Sequence, residues 1–269
     1  MLRKTFGLAL LTALLPACHA RHLTQLHPFR VLVLNIHAGK DASGRDNLQQ
    51  IAELIKSTDA DLMLLHEVDR RTARSGHVDQ VDVLGKATGY ATAFAPSLLR
   101  YDGGEYGIAA LGRGTIGYSA TIPLPVDPAE TRAGGSNEPR VALLLFASIG
   151  PNRWRAINTH LDPADGPARL QEAAHLLDLV REQRTADSPV LVGGDFNSTP
   201  DNALQQSLRD NGLRDAWMEC GHGDGYTYPA DRPVKRIDYL FLTGSLRCKA
   251  AAVLETTMSD HRPLLVTMR

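Results

Sequence analysis

Two rhythms of apolar residues run along this chain. Phe29-Arg30-Val31-Leu32-Val33-Leu34 is a nearly continuous apolar run, short enough for a strand and too dense for one with a solvated face. Ala60-Asp61-Leu62-Met63-Leu64-Leu65 repeats that pattern. Between them Leu48, Ile51, Ala52, Leu54 and Ile55 recur at the spacing of one helix face, ending near Ser57. Residues 140–148 and 154–158 read as consecutive strands joined at Gly150-Pro151. Leu170, Ala173, Ala174, Leu176, Leu177 and Val180 form the stripe of an amphipathic helix. Pro189–Val192, Arg236–Leu242 and Pro263–Thr267 are further strands. Strands alternating with helices predict an α/β fold. No repeat or linker interrupts the pattern, so residues 28–269 read as one domain. Pro123–Pro139, rich in Pro, Gly, Asp and Ser, is the longest loop-like stretch and reads equally as a flap over a site or a passive surface loop.

The first twenty residues follow a different logic. Arg3 and Lys4 precede an apolar run from Phe6 to Leu15, and the small-residue segment Ala17-Cys18-His19-Ala20 follows. This is the layout of a secretory signal, with an apolar run too short for an ordinary membrane span. Residues 1–20 are therefore expected to be a signal peptide, and the protein to be exported: periplasmic, membrane-anchored or secreted. Two processing routes stay open. A peptidase can cut after Ala20. Alternatively Leu15-Pro16-Ala17-Cys18, which resembles a bacterial lipobox apart from Pro16, can make Cys18 a lipidated anchor. Cys220 and Cys248 can pair in an oxidising compartment or remain separate thiols.

Composition narrows the field a little. The 43% of hydrophobic residues suffices for a sizeable core, and a formal net charge of −1 offers no global basic field. No Lys/Arg stripe stands out, which disfavours a protein that tracks nucleic-acid backbone. A nuclease whose metal supplies the local positive charge is still compatible.

Polar residues recur at the ends of the apolar strands. Asn35 follows Val31–Leu34, His66 and Glu67 follow Leu62–Leu65, and His160 follows Ile157. Asp195 and Asn197 follow Val190–Val192, while Asp260 and His261 precede the last strand. Singly, each reads more readily as a turn or cap residue. Five such coincidences point to one site displayed on a rigid sheet. Oxygen donors dominate it: Asn35, Glu67, Asp195 and Asp260, a set suited to a hard cation such as Mg²⁺. A cation, a carboxylate base and histidine donors supply the three needs of phosphodiester cleavage: stabilised charge, an activated water and help for the leaving group. His37 and His66 read as packing or hydrogen-bonding neighbours of the site, because Mg²⁺ prefers oxygen.

Seven motifs occur in the order typical of the endonuclease/exonuclease/phosphatase family, which the chain resembles over nearly its whole mature length. They are Asn35-Ile36-His37, Leu65-His66-Glu67-Val68-Asp69, Tyr106-Gly107-Ile108-Ala109, Asn158-Thr159-His160-Leu161, Gly194-Asp195-Phe196-Asn197-Ser198, Arg236-Ile237-Asp238-Tyr239 and Ser259-Asp260-His261-Arg262-Pro263. The resemblance implies a two-sheet β-sandwich flanked by helices, the DNase I-like four-layer α/β/β/α arrangement. It implies a Mg²⁺ site, with Mn²⁺ as substitute, held by Glu67 as principal ligand with Asn35 and Asp260. It implies that Asp195 positions or deprotonates the attacking water and that Asn197 binds a phosphoryl oxygen. His261, oriented by Asp238, is implied to contact the scissile phosphate. His160 is implied as a general acid or phosphate donor, a feature of the DNase- and sphingomyelinase-like side of the family. Arg140 is a candidate phosphate support or a bridge at the sheet edge, and Tyr106 a candidate cleft wall. His66 stands where a glutamine usually precedes the metal glutamate, and Gly112 where a serine is usual. The carboxylate partner of His160 is open, with Asp102 and Glu105 as candidates.

The expected activity is Mg²⁺-dependent hydrolysis of a phosphodiester in nucleic acid, a phospholipid headgroup or a small organic phosphate, by a monomer. A phosphomonoesterase on the same scaffold is the alternative. A non-catalytic binding module is a third, which loss of Glu67, Asp195 or His261 would mark; all three are present.

Overall fold

The structure, a computed structural model, describes residues 28–127, 138–185 and 189–268. The expected signal segment with Cys18 and most of the 123–139 loop lie outside these residues. Two six-stranded mixed sheets pack face to face. The first contains β1 (Phe29–Asn35), β2 (Leu62–Arg70), β3 (Ala91–Tyr101), β4 (Gly104–Gly112), β11 (Cys248–Val253) and β12 (Leu264–Met268), in the order β11-β12-β1-β2-β4-β3. The second contains β5 (Thr115–Leu124), β6 (Arg140–Ile149), β7 (Asn152–His160), β8 (Leu191–Asp195), β9 (Arg214–Asp215) and β10 (Asp238–Leu242), in the order β5-β6-β7-β8-β10-β9.

The dense apolar runs are explained by burial on both faces. In β1, Val31 and Val33 enter the core between the sheets, while Leu32 and Leu34 point the other way beneath the helices. Those helices are α1 (Leu48–Thr58) and α2 (Gln80–Thr88). The second sheet repeats the scheme: Leu143, Leu145 and Leu240 face inward, and Ala142, Leu144 and Phe241 lie under α3 (Gly166–Gln183) and α4 (Ala203–Asp210). The result is the four-layer α/β/β/α sandwich. The α3 start is set locally, since the Asp165 carboxylate accepts from the Ala168 N–H at 3.1 Å.

One feature differs from the expectation drawn from sequence, and a second decides an alternative that the sequence left open. The strand after α1 does not end at Leu65 but runs on through His66 and Glu67 to Arg70, across a register shift between Leu65 and Val68. Cys220, at the end of α5 (Ala216–Cys220), is bonded to Cys248 in β11, with their Cα atoms 5.8 Å apart. That link joins a helix on the second sheet's edge to a strand of the first.

Candidate active site

Asn35, His160 and Asp195 are each the last residue of their strand, and Asp238 is the first of its own. Parallel pairing aligns Asn35 with His66 and His160 with Asp195, and antiparallel pairing sets Asp238 beside Asp195. One end of the sandwich therefore collects them all. Glu67 sits in the β2 bulge with φ +52°, and Asn197 leaves β8 with φ +47°. For non-glycine residues such left-handed positions cost about 1–3 kcal/mol each, and they cluster where a side chain must be aimed.

The bulge is held from the opposite sheet. The Asn158 amide donates to the Leu65 carbonyl at 3.1 Å and the Ala109 carbonyl at 2.9 Å. Its own oxygen lies 2.7 Å from His66 Nε2. Burial pushes His66 down to about 4, so the ring is neutral and serves as a hydrogen-bonding strut. His37, with Nδ1 3.9 Å from an Asp260 oxygen, lies beside the site.

Asn35 connects the two sheets at the surface of the site. Its amide donates to Glu67 Oε1 at 2.9 Å and to Asp195 Oδ2 at 3.2 Å. Its oxygen accepts from the His37 N–H at 3.0 Å, which fixes the amide's orientation. Asp195 Oδ1 accepts from the Asn197 N–H at 3.0 Å. Asp195 Oδ2 lies 3.7 Å from His160 Nε2 and 3.6 Å from His261 Nε2. His261 Nδ1 is 2.9 Å from Asp238 Oδ2. Burial opposes charge on His261, but Asp238 and Asp195 overcome it and raise the imidazole to about 10. Burial and the neighbouring Asp238 lift Asp195 to about 7.

His160 behaves differently. Burial and the Arg140 guanidinium press its pKa well below the usual value, and Asn197 Nδ2 approaches its Nε2 at 3.1 Å. A neutral ring accepting that bond follows. Neither carboxylate suggested by the sequence reaches it: Asp102 accepts from the Arg74 N–H at 2.6 Å, and Glu105 pairs with Arg70 at 3.1 Å. Asp195 is the carboxylate beside His160. Asp260 accepts from the Ser259 hydroxyl at 3.1 Å and lines the same cleft as Glu67. Arg140 is buried and paired with Glu138 at 3.3 Å, and Tyr106 forms a buried wall beside it.

These groups open into a polar cleft of about 600 Å³. A second hollow of about 370 Å³ involves Phe29, Ile149, Trp154 and Met268 and lacks this polar constellation, so the chemistry belongs to the first. Asp195, Asp238 and His261 offer ligand atoms within 4.8 Å of one another, a buried cluster able to hold a metal ion. Asn158 has no role of its own in the motifs, although an asparagine inside an apolar strand is a signal. Arg74, Tyr101 and Lys235, exposed or half-buried residues that line the cleft, carry no such signal in the sequence.

The profile of the Endonuclease/Exonuclease/phosphatase family matches residues 32–261. The chain belongs to that family. It is 27% identical over 255 residues to the "Uncharacterized protein YbhP" of Escherichia coli (strain K12), covering 90% of this chain and 96% of that protein. Among solved structures it resembles the endonuclease/exonuclease/phosphatase from Beutenbergia cavernae DSM 12333, with TM-score 0.76, 21% identity and coverage of 90% and 71% of the two chains. The mannosyl-6-phosphatase Bt3783 of Bacteroides thetaiotaomicron VPI-5482 superposes with TM-score 0.74 at 19% identity, covering 90% and 99%. These structural likenesses show the fold. The family scaffold and its metal-competent cluster support metal-dependent phosphoester hydrolysis in general.

Proposed function

We propose that this family member is a Mg²⁺-dependent phosphodiesterase in which Asp195 is the base for the attacking water. The observation that carries this reading is the position of Asp195: between two imidazoles, and tied through one asparagine to Glu67. The donors fit a hard cation. Glu67, Asn35 and Asp260 offer oxygen, and Glu67 has no ion-pair partner among the described residues. Glu67 is therefore the favoured metal position. In the Asp195–Asp238–His261 trio the imidazole is already committed to carboxylates, an arrangement suited to handling protons. When bound there, Mg²⁺ or Mn²⁺ supplies positive charge to a phosphoryl oxygen.

The protein's own groups do the remainder. Cationic His261 donates towards the phosphoryl oxygens and is held in aim by Asp238. The Asn197 amide donates to His160 Nε2 at 3.1 Å and to the Leu161 carbonyl at 3.0 Å, and the first of these N–H groups is released to the same phosphate when His160 takes up a proton. His160 is neutral until the phosphodiester anion binds and negative charge develops on the leaving oxygen, when that charge favours its protonation and it can serve the leaving oxygen. Arg140 sets that balance from below. Export through the segment 1–20 is part of the proposal, with a monomer as the working unit; the Cys220–Cys248 bond supports an oxidising compartment.

The test is a substrate panel of bis(p-nitrophenyl) phosphate, p-nitrophenyl phosphate, DNA, RNA and sphingomyelin, each with EDTA and then with excess Mg²⁺, Mn²⁺ or Ca²⁺. Diester cleavage should vanish in EDTA and return with Mg²⁺ or Mn²⁺, and poorly with Ca²⁺. Full activity in EDTA sinks the metal. Preference for the monoester transfers the reading to a phosphomonoesterase.

A further inference from the structure

We propose that the outer part of the cleft is a second anion subsite, built by Arg74 on one wall and Lys235 on another, so that the preferred substrate carries a second phosphate. This rests on the phosphoesterase reading and adds what else the substrate must bear. Asp69 is fully buried, and its two oxygens accept from Arg74 Nε and Nη2 at 2.8 Å each. Thr72 Oγ1 adds a third bond to the carboxylate at 2.8 Å. The guanidinium lies over the rings of Tyr101 and Tyr106, 4.9 and 5.3 Å from their centroids, and donates to the Tyr101 hydroxyl at 3.2 Å.

A loop clamp for Asp69 alone would explain two of the five guanidinium N–H groups, and Tyr101 takes a third. The remaining two belong to a side chain that is 39% exposed and lines the cleft. The cation is fixed in place before any ligand arrives, which lowers the entropy lost on binding. Burial works against its charge, yet the Asp69 hydrogen bonds hold its pKa above the usual value.

Lys235 is exposed and has no ion-pair partner among the described residues. Its backbone is hydrogen-bonded to Tyr228, whose ring packs 4.8 Å from that of His261. Each cation is thus attached to an element of the catalytic floor. Asp69, which holds Arg74, is two residues beyond Glu67 on β2. Glu67, Arg74 and Lys235 all line one cleft of about 600 Å³, the size of a small-ligand site such as one for a sugar or short polyol bisphosphate.

The experiment is calorimetric binding in Mg²⁺ of glucose 6-phosphate against glucose 1,6-bisphosphate, in the full protein and in Lys235→Gln, Arg74→Gln and Lys249→Gln. Lys249, in β11 beside the other hollow, controls for the loss of a positive charge. The bisphosphate should bind at least about tenfold more tightly, the worth of one charge-assisted contact. Lys235→Gln and Arg74→Gln should each erode that ratio, and Lys249→Gln should not. The Lys235 variant, at an exposed position, carries the test if loss of Arg74 unfolds the loop. Phosphatidylinositol and its 4-phosphate on vesicles form the second pair; a preference confined to this pair places the second phosphate on a lipid. Equal binding within both pairs, or a ratio unmoved by both cleft variants, overturns the subsite. Turnover of bis(p-nitrophenyl) phosphate, which has no second phosphate, reports separately on the underlying phosphoesterase reading.

Discussion

Each sheet holds one parallel strand pair joined by a crossover helix: β1–α1–β2 in the first, β7–α3–β8 in the second. Parallel strands deliver their C-terminal residues to the same end, so both pairs discharge into one cleft. Their endings differ in chemistry. The first pair contributes an amide at the end of β1, Asn35, and a carboxylate at the bulge within β2, Glu67, both oxygen donors. The second ends in His160 and Asp195, beside Asp238 and His261, which are groups that hold and move protons. In the proposed mechanism one side of the site serves the metal and the other acid–base work, although Asp195, Asp238 and His261 also form a metal-competent cluster, and the Asn35 amide is the joint between them.

Exchanging one residue on each side should break this division most visibly. Asp195→Asn keeps the shape and removes the basicity, so kcat should fall by about 10²–10⁴ with substrate affinity little changed. Glu67→Ala should instead raise the Mg²⁺ needed for half-maximal rate, with part of the activity recovered by excess metal. Steady-state kinetics over a Mg²⁺ titration compares the two. If metal rescues Asp195→Asn equally well, the sides are not divided.

The joint between the sheets should give an intermediate effect. Asn158→Ala leaves two bulge carbonyls and the buried His66 without their partner, a loss of about 1–3 kcal/mol in stability. Because the bulge aims Glu67, metal affinity should weaken as well. Thermal melts and Mg²⁺ titration check this; a destabilised variant with unchanged metal affinity would make Asn158 a fold residue only.

An effect of pH separates two helices with matching tasks. Gln80 of α2 accepts from the Asp69 N–H at 2.9 Å, and Glu172 of α3 accepts from the Asp162 N–H at 2.8 Å. Only the second can titrate. Burial raises Glu172 to about 8 from the ordinary 4.5. Between those values the folded protein keeps a proton that the unfolded chain has released, so stability falls as pH rises from about 4.5 to about 8. Glu172→Gln should flatten that fall in melting temperature. A decline as steep as in the parent protein would assign it to other groups.

Sequence alone determined the frame. Strands buried on both faces must be apolar at every position, so β1, β2 and β8 are legible as dense runs, and α1 as a single stripe; in α3 the expected stripe is only in part the buried face, because Leu170 and Ala174 are exposed while Ala168, Glu172 and Leu179 are buried. The motif order marked the residues of the cleft because polar groups at apolar strand ends are conspicuous. Edge strands were not legible: β3 includes Pro96 and β5 is mostly exposed, so neither needs a regular apolar rhythm. Tertiary structure decided the rest. The bulge at Glu67 exists because two sheets meet there and Asn158 satisfies it from across the core. The Cys220–Cys248 link depends on a helix of one sheet lying against a strand of the other. Arg74 becomes a fixed cation only when Asp69, Tyr101 and Tyr106 surround it. Periodicity records which face of an element is buried, but the aim of a side chain depends on partners far away in the chain, and only packing brings those together.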